Sequence, residues 1–145
     1  MIETIRVSDR LSVGGQPNES DLDQLAERGF KAVVNLRIDN EANQPISPEA
    51  ERAYAESAGL TYRRLPITPA GLRPHQVEAF RKIVEGLPGP IYVHCGAGQR
   101  ASAISILAEG ISDKAAAPLL EAARQGVAFG DGGVQAFIRR TFDNR

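Results

Sequence analysis

The sequence is poor in the residues that build disulfides and metal centres. Its 145 residues include one cysteine, two histidines and no tryptophan. A single cysteine cannot form an internal disulfide, so we expect a reduced, cytoplasmic setting. The two histidines and the cysteine show no recognisable ligand spacing, which argues against a metal site, and we expect no cofactor.

Long apolar runs and an excess of charge of either sign are also missing. No apolar segment is long enough to cross a bilayer, and residues 1–6 lack the basic-then-apolar order of a signal peptide. We therefore expect neither membrane insertion nor secretion. The formal net charge of −1 supplies no general basic field, which argues against nucleic acid as a partner. Any preference for an anion must then come from local groups.

Apolar runs typical of strands alternate with helical segments along the chain. Strands are predicted at residues 30–36, 60–66 and 91–94, after a short extended start at 5–13 that polar residues interrupt. The three strands recur at about thirty residues, the size of a βαβ unit. We therefore predict one α/β domain over residues 1–145, with a small, largely parallel sheet and helices on both faces.

Capping residues mark the first two predicted helices. Asn18 or Ser20 is expected to begin the first helix, which Gly29 ends. Ser47 and Pro48 are expected to begin the second, as a cap and a first-turn proline. The apolar side of this second helix is predicted to consist of Ala50, Ala53, Tyr54 and Ala58.

The remaining predicted helices follow residue 73. Pro74 opens one that ends at Gly86, and its apolar side comprises Val77, Phe80, Ile83 and Val84. A helix of small residues is predicted at 101–109, directly behind the cysteine. Residues 110–145 are expected to form a helical C-terminal part behind a motif-bearing core at about 11–109.

The segment 91–101, Ile-Tyr-Val-His-Cys-Gly-Ala-Gly-Gln-Arg-Ala, places the only cysteine between an apolar strand and a glycine-broken loop that ends in arginine. If Ala101 opens a helix, the backbone N–H groups of the loop can converge on one point, where the helix dipole favours negative charge. The pattern predicts a nucleophile, Cys95, beside an anion-binding loop. The loop residues are Gly96, Ala97, Gly98, Gln99 and Arg100. We expect Gly96 and Gly98 where a Cβ would obstruct the loop.

Ligands of open parallel sheets bind beyond the carboxyl ends of the strands. The first such end carries Arg37 and Asp39, which form either a solvated strand end or a pair that binds an anion. Strand alternation is expected to turn His94 inward as a hydrogen-bonded core histidine that orients the loop. His94 and Asp39 are therefore candidate supporting residues of the cysteine site.

Four stretches of the chain carry a family resemblance. They are Leu-Ser-Val-Gly-Gly-Gln-Pro at 11–17, Ala-Val-Val-Asn-Leu-Arg at 32–37, Tyr-Arg-Arg-Leu-Pro-Ile at 62–67 and His-Cys-Gly-Ala-Gly-Gln-Arg at 94–100. In this order they resemble the phosphatase-like domain of bacterial beta-lactamase-hydrolase-like proteins, which is similar to the dual-specificity and tyrosine phosphatases. The resemblance implies a cysteine phosphatase fold, with Cys95 as nucleophile, Arg100 as phosphate-binding cation and Gln16 near the site.

The chemistry expected of such a site starts with a small anionic or phosphorylated substrate. A phosphate monoester docks on the loop amides and on the planar fork of Arg100. The loop dipoles and Arg100 favour the thiolate of Cys95, which attacks phosphorus and forms a thiophosphate. Water then hydrolyses this intermediate, and Gln99 is a candidate to position the water.

The loop is one residue shorter than in the dual-specificity phosphatases. Four residues separate Cys95 from Arg100, whereas those enzymes have five. The smaller ring suits a smaller anion, and rhodanese-type sulfurtransferases carry such a six-residue cysteine loop with a persulfide on the cysteine. A rhodanese-like sulfurtransferase that carries its persulfide on Cys95 is therefore an alternative function.

Two further departures concern proton donors. Pro69 stands where the phosphatases supply an aspartic acid to the leaving group, which leaves Asp39 and Glu41 as the nearest acids at the strand ends. Ala101 replaces the usual hydroxyl residue after the arginine, and Ser102 is its substitute if the loop is shifted. A missing general acid costs about a hundredfold to ten-thousandfold in rate. The third reading is thus an anion-binding pseudophosphatase with little turnover.

Overall fold

The computed structural model of the protein describes residues 2–68, 74–96, 100, 101, 104, 105 and 108. Its strands and helices, in chain order, are β1 (Ile5–Arg6), β2 (Leu11–Gly14), α1 (Glu19–Glu27), β3 (Ala32–Asn35), α2 (Pro48–Ser57), β4 (Thr61–Arg64), α3 (Pro74–Glu85) and β5 (Ile91–His94). Helical backbone is also found at residues 100, 101, 104, 105 and 108, within the helix predicted at 101–109 or next to it. The predicted C-terminal helices lie outside the described residues.

The five strands form one sheet in the order β1-β2-β5-β3-β4. The pairs β2·β5, β5·β3 and β3·β4 are parallel, and only β1 runs antiparallel to its neighbour. This confirms the predicted α/β fold with a largely parallel sheet. Because β5 lies between β2 and β3, the cysteine loop emerges between the loops that follow those two strands.

Side-chain alternation along β5 separates Cys95 from the preceding histidine. Ile91 and Val93 pack into one hydrophobic core, which Cys95 also joins. Tyr92 packs into the core on the opposite face, and the ring of His94 stacks on it with centroids 6.0 Å apart. Successive strand residues point to opposite faces. Cys95 and His94 therefore approach the site from different sides of the sheet.

Helices cover both faces of the sheet, as predicted. On the cysteine side α3 buries Val77, Phe80 and Val84. On the histidine side α1 and α2 bury Leu22, Leu25 and Ala55. Within the described residues, no helix combines the length and the apolar character that a membrane span requires.

The predicted caps also form. Asn18, rather than Ser20, caps α1 through a reciprocal pair of hydrogen bonds with Asp21. Ser47 caps α2, with Pro48 in the first turn. Gly29 follows α1 with a φ of 97°, a left-handed angle that glycine adopts without strain.

The predicted apolar side of α2 is wrong in part. Ala50 and Ala53 are exposed, and the buried side consists of Pro48, Glu51 and Ala55. The residue type misled the prediction, because a carboxylate is rarely fully buried unless it is paired. Glu51 is completely buried, and its partners belong to the site described below.

Gly14 is the position of the sheet where a larger residue would be most disruptive. A Cβ there would lie 2.5 Å from the hydroxyl oxygen of Tyr92 and 2.9 Å from the carbonyl oxygen of Glu3. We expect Gly14→Ala to lower the free energy of unfolding by about 2 kcal/mol, because the Tyr92 hydroxyl must leave its hydrogen bond to the Gly15 carbonyl.

Urea unfolding of this variant beside Gly86→Ala provides the measurement. At Gly86 the nearest atoms to an added Cβ are carbonyl oxygens at 3.7 and 3.8 Å, so that substitution is expected to be neutral or slightly stabilising. Equal unfolding midpoints for the two variants would contradict the steric account of Gly14.

Candidate active site

The carboxyl ends of three parallel strands meet at the cysteine. The backbone N–H of Gln16, after β2, donates to the Gly96 carbonyl at 3.1 Å, and the N–H of Leu36, after β3, donates to the His94 carbonyl at 2.9 Å. Cys95 lies between these two contacts and is 1% exposed. Cys95 therefore lies at the carboxyl end of the parallel strands.

Cys95 and Arg100 are brought together. The guanidinium of Arg100 hydrogen-bonds to the Cys95 side chain, although four residues separate them. Arg100 is itself 7% exposed. The other predicted loop residues, Ala97, Gly98 and Gln99, lie outside the described residues, as do Ser102 and Pro69.

The carboxylate of Glu41 holds the Arg100 guanidinium by two hydrogen bonds. Arg100 Nη1 donates to Oε1 and Nη2 to Oε2, each at 2.8 Å. Arg37 Nε donates to the same Oε2 at 2.6 Å. Burial alone would raise the pKa of Glu41, but the hydrogen bonds and charges of Arg100 and Arg37 outweigh it and lower that pKa. Glu41 is thus an ionised anchor for Arg100 rather than a proton donor.

Within the described part of the chain, Arg100 bonds to the Ile67 carbonyl and to Cys95 as well as to Glu41. Its second Nη1 hydrogen goes to the carbonyl of Ile67 at 2.7 Å, so Glu41 and Ile67 together engage three of the five N–H donors. The other two are on Nε and Nη2, and the guanidinium also hydrogen-bonds to the Cys95 side chain.

Arg100 stays cationic in this setting. Burial alone would lower its pKa, but the hydrogen bond to Glu41 and the charge of Cys95 outweigh that effect and raise the pKa. The guanidinium is therefore a fixed positive charge beside the thiol.

Arg37 and Asp39, which the sequence groups together, have different environments. Arg37 is 2% exposed and donates to Gln16 Oε1, the Ala42 carbonyl and Glu41, so it is neither a solvated strand end nor an open anion-binding group. The Asp39 side chain is 71% exposed and pairs with Arg64 at 3.2 Å. Arg37 is therefore a buried partner of Glu41 and Gln16, whereas Asp39 faces solvent.

Two left-handed asparagines shape the loop that presents Glu41. Asn40 has a φ of 58° and Asn43 a φ of 59°, angles that asparagine tolerates better than most residues. The turn that they form brings the Glu41 carboxylate back to the guanidinium of Arg37, which lies four residues earlier in the chain. An acid between two asparagines after a strand is the sequence signal for this anchor.

A second buried network lies on the histidine side of the sheet, around Glu51. Its Oε2 lies 2.6 Å from His94 Nε2 and accepts from the Tyr62 hydroxyl at 2.8 Å, while its Oε1 accepts from Gln16 Nε2 at 2.6 Å. Asn35 Nδ2 donates to the same tyrosine oxygen. His94 is thus a hydrogen-bonded core histidine. Glu51 was not identified from the sequence, where a carboxylate in the first turn of a helix is typical of a solvated position.

Glu51 stays ionised in spite of its burial. Burial alone would raise its pKa, but the hydrogen bond and charge of His94, together with the hydrogen bonds of Tyr62 and Gln16, outweigh it and lower the pKa. The network therefore places a negative charge behind His94.

Gly96 does not have the steric role expected of it. A Cβ built there would lie 3.6 Å from Glu41 Oε2 and 3.7 Å from Arg100 Nη2, which are ordinary contacts. Its φ lies outside the left-handed region. Among the described residues, therefore, nothing obstructs a Cβ at this position, contrary to the expectation for Gly96.

In a comparison with known proteins, residues 4–112 match the family model "Beta-lactamase hydrolase-like protein, phosphatase-like domain". A beta-lactamase hydrolase-like protein of Xylella fastidiosa (strain Temecula1) is 31% identical over 139 residues, which are 96% of this chain and 32% of that protein. The chain therefore spans about a third of the length of this relative.

Solved structures share the fold. A candidate phosphatase from Shewanella putrefaciens CN-32 matches with a TM-score of 0.77 and 23% identity, covering 97% of this chain and 89% of that one. The P. aeruginosa protein TpbA, as a cysteine-to-serine variant in complex with phosphotyrosine, matches with a TM-score of 0.65 and 20% identity over 99% of this chain and 92% of that one.

Because Glu41 holds Arg100 as a carboxylate, we predict that its contribution to the free energy of unfolding depends on pH. Glu41→Gln leaves donors of two buried arginines without a charged acceptor, and we expect it to lower the free energy of unfolding by about 2 kcal/mol at neutral pH. The pKa of Glu41 is lowered by folding, so its stabilisation is complete above the ordinary value of 4.5 and is lost as the pH falls through the lower folded value. The difference between wild type and variant should therefore shrink in acid.

Chemical unfolding at neutral pH and in acid tests this, with Asp39→Asn as the matched control. Asp39 is exposed, so its substitution should change the free energy of unfolding by less than about 0.5 kcal/mol. A Glu41→Gln difference that stays constant with pH would refute the ionised anchor.

Proposed function

Because this chain belongs to the family of phosphatase-like domains of beta-lactamase hydrolase-like proteins, we propose that it is a cysteine-dependent phosphoric monoester hydrolase of the tyrosine and dual-specificity type. The observation that carries the proposal is the contact between Cys95 and the Arg100 guanidinium, which Glu41 holds from its other side. A nucleophile beside a fixed cation is suited to phosphoryl transfer.

In the proposed reaction the phosphate docks on the loop amides of residues 96–100 and on the Nε–Nη2 edge of Arg100. The Cys95 thiolate attacks phosphorus as the ester P–O bond breaks, and the leaving oxygen departs as a phenolate that takes a proton from bulk water. Water then attacks the thiophosphate, which releases inorganic phosphate and restores the thiolate. The substrate is a small phosphorylated molecule or side chain, and a reduced cytoplasmic setting keeps the single thiol active.

Neither of the two carboxylates at the strand ends, Glu41 and Asp39, is suited to protonate a leaving group. The site therefore favours substrates whose leaving groups depart without a proton. Glu41 is held ionised between two arginines and cannot supply a proton, while Asp39 is solvent-exposed and paired with Arg64. A phenolate leaves without full protonation, but an alkoxide needs an acid. An aryl phosphate such as phosphotyrosine is therefore the proposed substrate class.

We predict that kcat/KM for phosphotyrosine or p-nitrophenyl phosphate exceeds that for phosphoserine by at least about a hundredfold, the usual contribution of a general acid. Steady-state phosphate release on the three substrates measures the ratio. Asp39→Asn should leave the ratio within about threefold. Comparable rates on aryl and alkyl esters would show that an acid does serve the leaving group and would contradict this substrate preference.

The phosphatase proposal is tested by a paired assay of aryl phosphate hydrolysis and of thiocyanate formation from thiosulfate and cyanide. Cys95→Ser should abolish phosphate release, because the nucleophile is lost. Arg100→Lys should lower kcat/KM about a hundredfold, since lysine keeps the charge but loses the fork that grips both Glu41 and the anion. Arg63→Lys, at an exposed position of β4, is the matched control and should be unchanged.

The two alternatives have distinct outcomes in the same assay. Thiocyanate formation without phosphate release would favour a sulfurtransferase, for which the four-residue spacing of Cys95 and Arg100 is the supporting observation. Inactivity in both assays, with phosphate still bound, would favour an anion-binding module. Phosphate release that survives Cys95→Ser would refute the assigned nucleophile.

A further inference from the structure

Gln16 contacts the start of the cysteine loop through its backbone. Its N–H donates to the carbonyl of Gly96, the residue directly after Cys95, at 3.1 Å. A carbonyl oxygen only accepts hydrogen bonds, and its partial negative charge repels an anion. Because the Gly96 carbonyl is engaged by a donor of the protein, it is kept from turning towards a bound anion. Gln16 thus sets the orientation of the peptide group at which the loop begins.

The side chain of Gln16 is connected to the other end of the loop through two further residues. Its Oε1 accepts from Arg37 Nη1 at 2.9 Å, and Arg37 Nε donates to Glu41 Oε2 at 2.6 Å. The same Glu41 oxygen accepts from Arg100 Nη2 at 2.8 Å. A continuous series of hydrogen bonds therefore joins Gly96, where the loop begins, to Arg100, where it ends, and Gln16 lies in the middle of the series.

The partners of the Gln16 amide fix its orientation. A guanidinium can only donate, so the amide atom that faces Arg37 must be the oxygen. Nε2 then donates to Glu51 Oε1 at 2.6 Å and to the Pro17 carbonyl at 3.0 Å. The oxygen and both hydrogens of the amide are engaged. A side chain that is held at three points also holds its own backbone N–H in place.

We propose that Gln16 is a positioning residue that holds Gly96 and Arg100, the two described ends of the loop, in the arrangement that an anion requires. It does not touch the reacting atoms and acts only through the Gly96 carbonyl and through Arg37. This inference rests on the proposed function, since the ester phosphate is the anion that the loop binds in the proposed reaction.

Loss of the Gln16 side chain releases both ends of the loop at once. In Gln16→Ala, Arg37 Nη1 and Glu51 Oε1 each lose a partner, and the side chain no longer holds the backbone N–H that meets Gly96. An anion must then order the loop as it binds, which costs affinity. We expect inorganic phosphate to bind about tenfold more weakly, the equivalent of one net hydrogen bond. Calorimetric titration with inorganic phosphate measures this change.

Tyr62→Phe is the matched control for lost stability. It removes two hydrogen bonds from the same buried network, those that the Tyr62 hydroxyl makes with Glu51 Oε2 and with Asn35 Nδ2, but none that involves Gln16. We expect urea unfolding to show a comparable loss of stability in the two variants, while Tyr62→Phe binds phosphate within about threefold of wild type. Equal phosphate affinities in the two variants would overturn the positioning role.

An exchange of side chains between positions 16 and 51 tests the contact itself. Gln16→Glu alone brings two carboxylates face to face and should weaken phosphate binding by at least about tenfold. In the double variant Gln16→Glu with Glu51→Gln, the new carboxylate accepts from Arg37 and from the new amide, whose oxygen accepts from Tyr62. The net charge is that of the wild type, and the contact with the Pro17 carbonyl is the one that is lost.

The double variant should therefore recover phosphate affinity to within about threefold of wild type, because the donors and acceptors match again. A double variant that binds phosphate as weakly as Gln16→Glu would overturn the proposal, since the match between positions 16 and 51 would then have no effect on the loop.

Hydrogen exchange of the Gln16 amide in the wild type needs no variant to fold. If Gln16 orders the loop for an anion, the anion must stabilise the Gln16 contact by the same factor. Saturating inorganic phosphate should therefore slow the exchange of this amide about tenfold. The Val7 amide, which donates to the Leu11 carbonyl at the other end of β2, is the reference and should be unchanged. A Gln16 exchange rate that phosphate leaves unaltered would overturn the proposal, as would a wild type that binds no phosphate.

None of these measurements requires turnover, so the two proposals fail separately. The expected affinities and exchange rates in a protein that hydrolyses no phosphate ester would leave Gln16 its positioning role and reject the phosphatase proposal alone. Hydrolysis of aryl phosphates by a protein whose phosphate affinity is the same in wild type and Gln16→Ala would reject the positioning role alone.

Discussion

The ion pair between Glu41 and Arg100 is the interaction on which the site depends. In the proposed reaction Arg100 is the cation that meets the phosphate at Cys95, and its flexible side chain is useful there only in one orientation. Glu41 fixes that orientation with two hydrogen bonds and shares an oxygen with Arg37. A buried pair of this kind requires every partner, because an unpaired charge in the interior costs several kcal/mol. If the protein acts as proposed, the site is organised before a substrate arrives, which lowers the cost of forming the transition state.

The sheet connects this pair to the nucleophile through side-chain alternation. Cys95 and His94 are neighbours in sequence, yet they approach the site from opposite faces, and each meets a different buried network. Gln16 links these networks by bonding Arg37 on one side and Glu51 on the other, and its backbone also holds the Gly96 carbonyl. The position of the thiol is thus controlled from both faces of β5.

Much of this could be predicted from the sequence, because local patterns encode it. Strand 91–94, the caps at Asn18 and Ser47, and the location of Cys95 at a strand end follow from hydrophobic runs, capping residues and the geometry of parallel sheets. The burial of Glu51 and Arg37 could not be predicted. Residue type places both in solvent, and their partners are distant in the chain: Glu51 needs groups at positions 16, 62 and 94. Such burial depends on the finished fold rather than on local preference.

The central claim is that Cys95 carries the phosphoryl group during turnover, and trapping that intermediate tests it most directly. The reaction of the wild type with an aryl phosphate is quenched in acid within the first turnovers, and the protein is digested for mass spectrometry. The account predicts a phosphoryl group on the peptide that contains Cys95, and none with Cys95→Ser. Catalytic phosphate release with no adduct on Cys95 at any time, and at a rate that Cys95→Ser leaves unchanged, would contradict it.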